Sequence, residues 1–300
     1  MASLYTQADS NTWKTWLLMT FLFVFVILLG WLFSYILKDQ AILYIAVVVS
    51  ILTSFGSYWY SDKLVLAMTK AQLIEKKDNP ELYRIVENLC ITAGLPLPKI
   101  YILEESQPNA FATGRDANHA IIAVTRGLLN KLEKTELEGV IGHELSHIGN
   151  KDMLLQTFIV VLAGFIALIS DWFLRISYFG GGRRRNSEDS GASILFFVGI
   201  IAAVLAPIAA TLIQLAVSRK REFLADADGA LLTRYPEGLA RALEKISYDP
   251  NALSVASNAT AHLFISDPRR GKQTTGWFTK LFLTHPPVGE RIRALRDMEP

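Results

Sequence analysis

The sequence predicts a mainly α, α+β protein in which transmembrane helices accompany a polar globular domain with a small sheet. Three observations carry this. Four apolar runs, at residues 13–37, 41–60, 154–174 and 193–217, reach the roughly 18–20 residues that a bilayer-crossing helix needs. Residues 62–152 and 218–300 have ordinary globular composition. Within those parts helical periodicity dominates, and only two stretches, KIYILE and HAIIAVT, are short runs rich in β-branched residues.

In chain order, a short polar lead precedes the run at 13–37, which is apolar apart from Lys14 and a few hydroxyls. The run at 41–60 has no charge, and Trp13, Trp16 and Tyr58-Trp59-Tyr60 suit the aromatic belts of a bilayer interface. Both read as permanent helices joined by a tight Lys38-Asp39-Gln40 turn, the first too long and too weakly basic for a cleaved signal peptide. Residues 64–77 and 80–94 read as helices and residues 99–104 and 119–125 as strands, with Asn109-Ala110-Phe111-Ala112-Thr113-Gly114 between them. A helix is expected over residues 135–149. The two later apolar runs are joined by a Gly- and Arg-rich loop at 180–189, and polar, helical sequence follows. The expected organisation is a membrane segment at 1–62, a first half of the globular domain at 63–153, a hydrophobic hairpin at 154–217 and the second half at 218–300.

The 51% hydrophobic fraction and mean hydropathy of +0.28 are high for a soluble chain. A net charge of +2 gives no global basic field, so no nucleic-acid partner is expected. The single cysteine, Cys90, excludes an internal disulfide framework and reads as a buried, inert thiol.

The chemistry is concentrated in Gly142-His143-Glu144-Leu145-Ser146-His147. His143 and His147, four apart on a helix, project from one face and can hold one Zn²⁺ at ~2.0–2.1 Å each. Glu144 lies beside the first of them, placed to take a proton from the attacking water without being a ligand. Leu137, Val140, Ile141, Leu145 and Ile148 give the helix an apolar side, so the histidines should border a buried face. A catalytic zinc needs a third protein ligand and an open position. Ser218–Ala230 supplies Glu222 and Asp226, again four apart. Glu222 as ligand would complete the set, and Asp226 could accept the second ring N–H of His143. Read without the upstream motif, the same stretch is a surface helix of mixed charge.

Membrane parity agrees with this pairing, because His147 precedes the third apolar run and Glu222 follows the fourth. The two meet if the hairpin either spans twice or is re-entrant. The site then lies near the bilayer, since His147 to residue 153 covers only ~9 Å of helix. Lys14, Lys63, Lys70, Lys151, Arg219, Lys220 and Arg221 on the site's side, against Lys38, Arg175 and Arg183–Arg185 opposite, vote for a cytoplasmic site.

With HELSHIGNKD, REFLADADGA and Thr284-His285-Pro286-Pro287-Val288-Gly289-Glu290-Arg291-Ile292 in view, the chain resembles the family-M48 zinc metalloproteases, and among them the HtpX-type membrane proteases of bacteria. The resemblance implies a zincin-like (gluzincin) domain with one Zn²⁺ per chain on His143, His147 and Glu222, and Glu144 as general base and acid. It implies stress-response proteolysis of misfolded or damaged membrane proteins at the bacterial inner membrane, with the catalytic part in the cytoplasm; zinc-dependent self-cleavage would be a sign of that activity. Asn109, Ala110 and Phe111 match the family's strand at the cleft rim, where an exposed edge could pair with an extended substrate. His285 matches a histidine near the site that could help hold the oxyanion; capping the helix opened by Pro286-Pro287 is an equal alternative. A CaaX-type prenyl-peptide endoprotease and a non-catalytic zinc-binding membrane scaffold are the rival readings.

Overall fold

A computed structural model of the chain describes residues 40–153, 155, 219–250, 263–266 and 286–298, with isolated positions between 13 and 35. The apolar runs at 154–174 and 193–217, the loop at 180–189 and His285 therefore lie almost wholly outside the described residues, as does most of the run at 13–37. Among the described residues no helix is long and apolar enough to cross a membrane.

The run at 41–60 forms the first part of helix α1 (Ala41–Thr69). This helix does not stop where the apolar run stops, which corrects the predicted helix at 64–77. Lys70 adopts a left-handed conformation (φ 54°), its N–H bonds to Leu66 O, and the chain turns into the short strand β1 (Gln72–Leu73). Helix α2 (Pro80–Ala93) carries its own punctuation. The Asn79 side chain accepts from Leu82 N, Pro80 opens the first turn, and Gly94 closes the helix at φ 65°. Strands β2 (Lys99–Leu103), β3 (Ala110–Thr113) and β4 (Ile121–Thr125) follow, and Thr125 caps the short helix α3 (Arg126–Lys131). Helix α4 (Lys134–Gly149) starts at a capping box in which Glu133 and Glu136 satisfy each other's backbone N–H. Helices α5 (Arg219–Thr233), α6 (Pro236–Ser247) and α7 (Val288–Arg296) complete the described fold.

The sheet has the order β1-β2-β4-β3, with β2 and β4 parallel and the two outer strands antiparallel. Its period-two alternation splits the core. Ile100, Ile102, Ala110, Ala112, Ile122 and Val124 face the main helical core, while Leu103, Phe111 and Ala123 face a second cluster with Val65 of α1 and Phe264. Helix α4 runs through the main core, packed against α2, α5, α6 and β3. It is buried on nearly every side rather than along one stripe, so His143, Glu144 and His147 lie inside the core instead of bordering it.

Two glycines set the approach of α5 to α4. A Cβ on Gly229 would stand 2.7 Å from His143 N, and one on Gly142 would stand 3.1 Å from Gly229 O. The atoms in the way of Gly229 are backbone and cannot swing aside. Gly229→Ala should therefore push α5 back, destabilise the fold by about 1–3 kcal/mol and lower metal occupancy. Thermal unfolding together with the zinc content of the purified variant checks both effects.

Candidate metal centre

The i, i+4 spacing on α4 stacks the two imidazoles with their rings nearly perpendicular, and the Nε2 atoms stand 3.2 Å apart. Helix α5, brought close by the glycine contact, adds Glu222. Its Oε2 is 3.8 Å from His143 Nε2 and its Oε1 is 3.7 Å from His147 Nε2. Donors ~2.0–2.1 Å from a tetrahedral ion lie about 3.4 Å from each other, so these three bracket the volume of one ion. All three residues are buried.

Each ring nitrogen turned away from that point meets a carboxylate. Asp226 Oδ1 is 2.9 Å from His143 Nδ1, and Asp152 Oδ2 is 3.0 Å from His147 Nδ1. With Nδ1–H of each ring held by a carboxylate, the inner Nε2 atoms are the ones that can serve an ion as lone-pair donors. Asp226 is gripped in turn by Arg291, fully buried, whose Nε and Nη2 donate to its two oxygens at 2.8 and 2.6 Å. Arg291 Nη1 also donates to Ile265 O at 3.1 Å and lies 3.6 Å from Glu222. Glu144, Glu222, Asp226 and Asp152 thus put four carboxylates in the core, against the guanidiniums of Arg291 and Arg221. In the metal-free protein protons on His147 and Glu144 offset that difference, and a divalent cation could take their place.

Burial pushes the Glu144 carboxyl up to about 7, and the charge of Glu222 adds to the rise. His147 and the backbone of Ala112, on β3, pull it back. Burial lowers His143, and Asp226 only partly offsets it. Burial works against the charged form of His147 too, but the hydrogen bond it donates to Asp152 and the charges of Glu222, Asp152 and Glu144 outweigh it and raise the ring to about 9. The sign follows directly. The raised value stabilises the metal-free fold fully below pH 6.5, and that contribution is lost as pH rises through about 9. At neutral pH the metal must displace this proton. Metal uptake near pH 7 should release between one and two protons, one from His147 and the rest from Glu144, and above that pH apparent affinity should rise about tenfold per pH unit until about pH 9. Calorimetry in two buffers of different ionisation enthalpy measures the release.

Other site candidates are placed differently. Asn109 is fully buried; its amide donates to Ser266 O at 3.0 Å and its Oδ1 accepts from Ala110 N and Ser266 N. Phe111 packs edge-on against Phe264 in the second cluster. Strand β3 is an edge in the sheet order, but all four residues are buried, and Ala110 O accepts from Ile265 N at 3.0 Å. The expected exposed edge is therefore covered at Ala110. Asp152 and Arg291 were not among the sequence-derived candidates. Arg291 lies in the same C-terminal segment as His285, and Asp152 is an acidic residue just past the end of the motif helix.

The model of peptidase family M48 matches residues 76–299. The protein named "Protease HtpX homolog" of Syntrophobacter fumaroxidans is 48% identical over 256 residues, covering 85% of this chain and 89% of that one. Its namesake in Thermoanaerobacter pseudethanolicus is 44% identical over 302 residues, covering 99% and 98%. In fold, the crystal structure of S. mikatae Ste24p is similar at a TM-score of 0.52 and 21% identity, across 97% of this chain and 67% of that chain. A family match spanning both α4 and α5, with near full-length relatives at such identity, makes the chain a member of peptidase family M48.

Proposed function

We propose that this metalloprotease is a membrane-bound zinc endopeptidase that hydrolyses peptide bonds in misfolded or damaged membrane proteins. One Zn²⁺ is held by His143, His147 and Glu222. The observation that carries the reading is the convergence of these three buried donors beside the buried carboxyl of Glu144. When bound, zinc supplies Lewis-acid polarisation of the scissile carbonyl and acidifies water at the open position. Glu144 takes the proton of the attacking water and delivers it to the leaving amine. Asp226 and Arg291 keep the His143 ring turned inward. Backbone groups on the outer edge of β3 beyond Ala110 pair with an extended polypeptide beside Glu144, and His285 adds a donor to the oxyanion.

The membrane location is supported by the apolar runs at 13–37, 41–60, 154–174 and 193–217 and by the resemblance to the HtpX-type membrane proteases. The protease domain is assembled from 63–153 and 218–300, with the hairpin 154–217 inserted between its halves. Its location is the bacterial inner membrane, multi-pass, with the active site facing the cytoplasm.

Purified full-length protein in detergent should cleave casein, lose that activity to a chelator and regain it with zinc. Glu222→Ala should carry well under one zinc per chain. Chelator-insensitive cleavage, or full zinc content in Glu222→Ala, would overturn the assignment.

A further inference from the structure

The proposed mechanism leaves unused a buried pair beside the second histidine. Helix α4 ends at Gly149, and Lys151 takes a left-handed conformation (φ 55°) that reverses the chain. That reversal swings Asp152 back beneath His147, with Oδ2 at 3.0 Å from Nδ1. The other oxygen, Oδ1, lies 3.8 Å from Nε of Arg221, and both side chains are nearly inaccessible. Asn150 of the same turn donates to Asp228 on α5 at 2.9 Å. Asp228 is the further acidic group facing this turn, and Glu222 the further one facing Arg221. In sequence, Asp152 is where the chain enters the apolar segment 154–217 and Arg221 is just past where it leaves.

We propose that Asp152 and Arg221 are positioning residues that hold the His147 ring in its ligand orientation, and that their pairing clasps the turn after α4 to α5 beside the metal centre. This rests on His147 being a ligand. Arg221 does not reach the ring. It faces the carboxylate that does, as an ion pair at 3.8 Å rather than a hydrogen bond, and it neutralises a charge that burial would otherwise make costly. Because it also adjoins Glu222 in sequence, one clasp sets the orientation of donors on both helices.

The test uses full-length protein in detergent, loaded with zinc or with Co²⁺ as a spectroscopic probe. Asp152→Ala should bind zinc about 10–100-fold more weakly in chelator competition and shift the cobalt absorption spectrum. A defect of folding alone would lower the yield of loaded protein without changing its spectrum. Asp152→Asn keeps an oxygen for the ring N–H, so it should retain the wild-type spectrum with a smaller loss of affinity. Arg221→Met should weaken binding in the same direction, and the double variant should bind no more weakly than Asp152→Ala, since the two act through one contact. Wild-type affinity and spectrum in Asp152→Ala, or losses that add in the double variant, would overturn the proposal. Should Asp152→Ala not fold, an unchanged affinity in Arg221→Met overturns it instead. Wild-type protein that takes up no cobalt would overturn the metal assignment itself, a separate result.

Discussion

Glu144→Gln should keep its zinc and cleave casein about 10²–10⁴-fold more slowly than wild type, the usual contribution of a positioned general base. Retention follows from the geometry, since the three converging donors come from His143, His147 and Glu222 and none from residue 144. Glutamine has the same shape, and its amide oxygen still accepts from the backbone of Ala112, so the core around it has no reason to repack. What is lost is the ability to take and return a proton. Burial holds the Glu144 carboxyl near 7 in the metal-free protein, close to the operating pH of such a base. A bound cation favours the ionised form, so the acid limb of kcat/KM should fall below that value. Zinc content and casein turnover measured on the same preparations decide the matter. An unchanged kcat with full zinc occupancy would remove Glu144 from the chemistry, and loss of zinc in the variant would make the residue structural.

Much of this centre follows from spacing rules that hold wherever a helix forms. Two histidines four apart, and Glu222 and Asp226 four apart, share a face on any regular helix, so their mutual placement is readable before any fold is known. The ends of α2 are equally legible, because Asn79, Pro80 and Gly94 act through their immediate neighbours. Asp152 is not legible in this way. It lies five residues past His147, off the helical repeat, and reaches the ring only because Lys151 reverses the chain. Arg291 is hidden for a different reason. In VGERIRALR it resembles the basic residues of a solvated helix, and only the packing of α7 against α5 and residues 263–266 puts it in the core. The burial of α4 on all sides is likewise a tertiary fact. Its apolar stripe is interrupted by His143, Glu144 and His147, which are buried with it. The cover over the Asn109–Ala110 end of the β3 edge is likewise a long-range matter, since residues 263–266 reach it from more than 150 positions away.

The side chain hardest to anticipate is also the one whose removal should cost the fold most. Arg291→Met keeps most of the aliphatic volume but strips Asp226 of both charge-assisted hydrogen bonds in a site closed to water. Breaking a buried pair by removing one partner typically costs about 3–5 kcal/mol, because a buried charge is left uncompensated. Burial by itself would raise the Asp226 carboxyl, and the charge and hydrogen bonds of Arg291, with help from His143, instead hold it down at about 2 against an ordinary 3.8. The stability linked to this depressed value is fully present above about pH 4 and disappears as pH falls towards 2. The deficit of Arg291→Met should therefore be largest at neutral pH and shrink below pH 4. Adding Asp226→Asn should restore part of the loss, since it deletes the charge that Arg291 no longer meets, although the neutral amide holds the His143 ring less firmly and metal affinity should stay reduced. Thermal unfolding of metal-free protein at pH 7 and near pH 3.5 measures these differences. A deficit that is under 1 kcal/mol and the same at both pH values would mean that solvent reaches the pair and that something else keeps Asp226 ionised beneath His143.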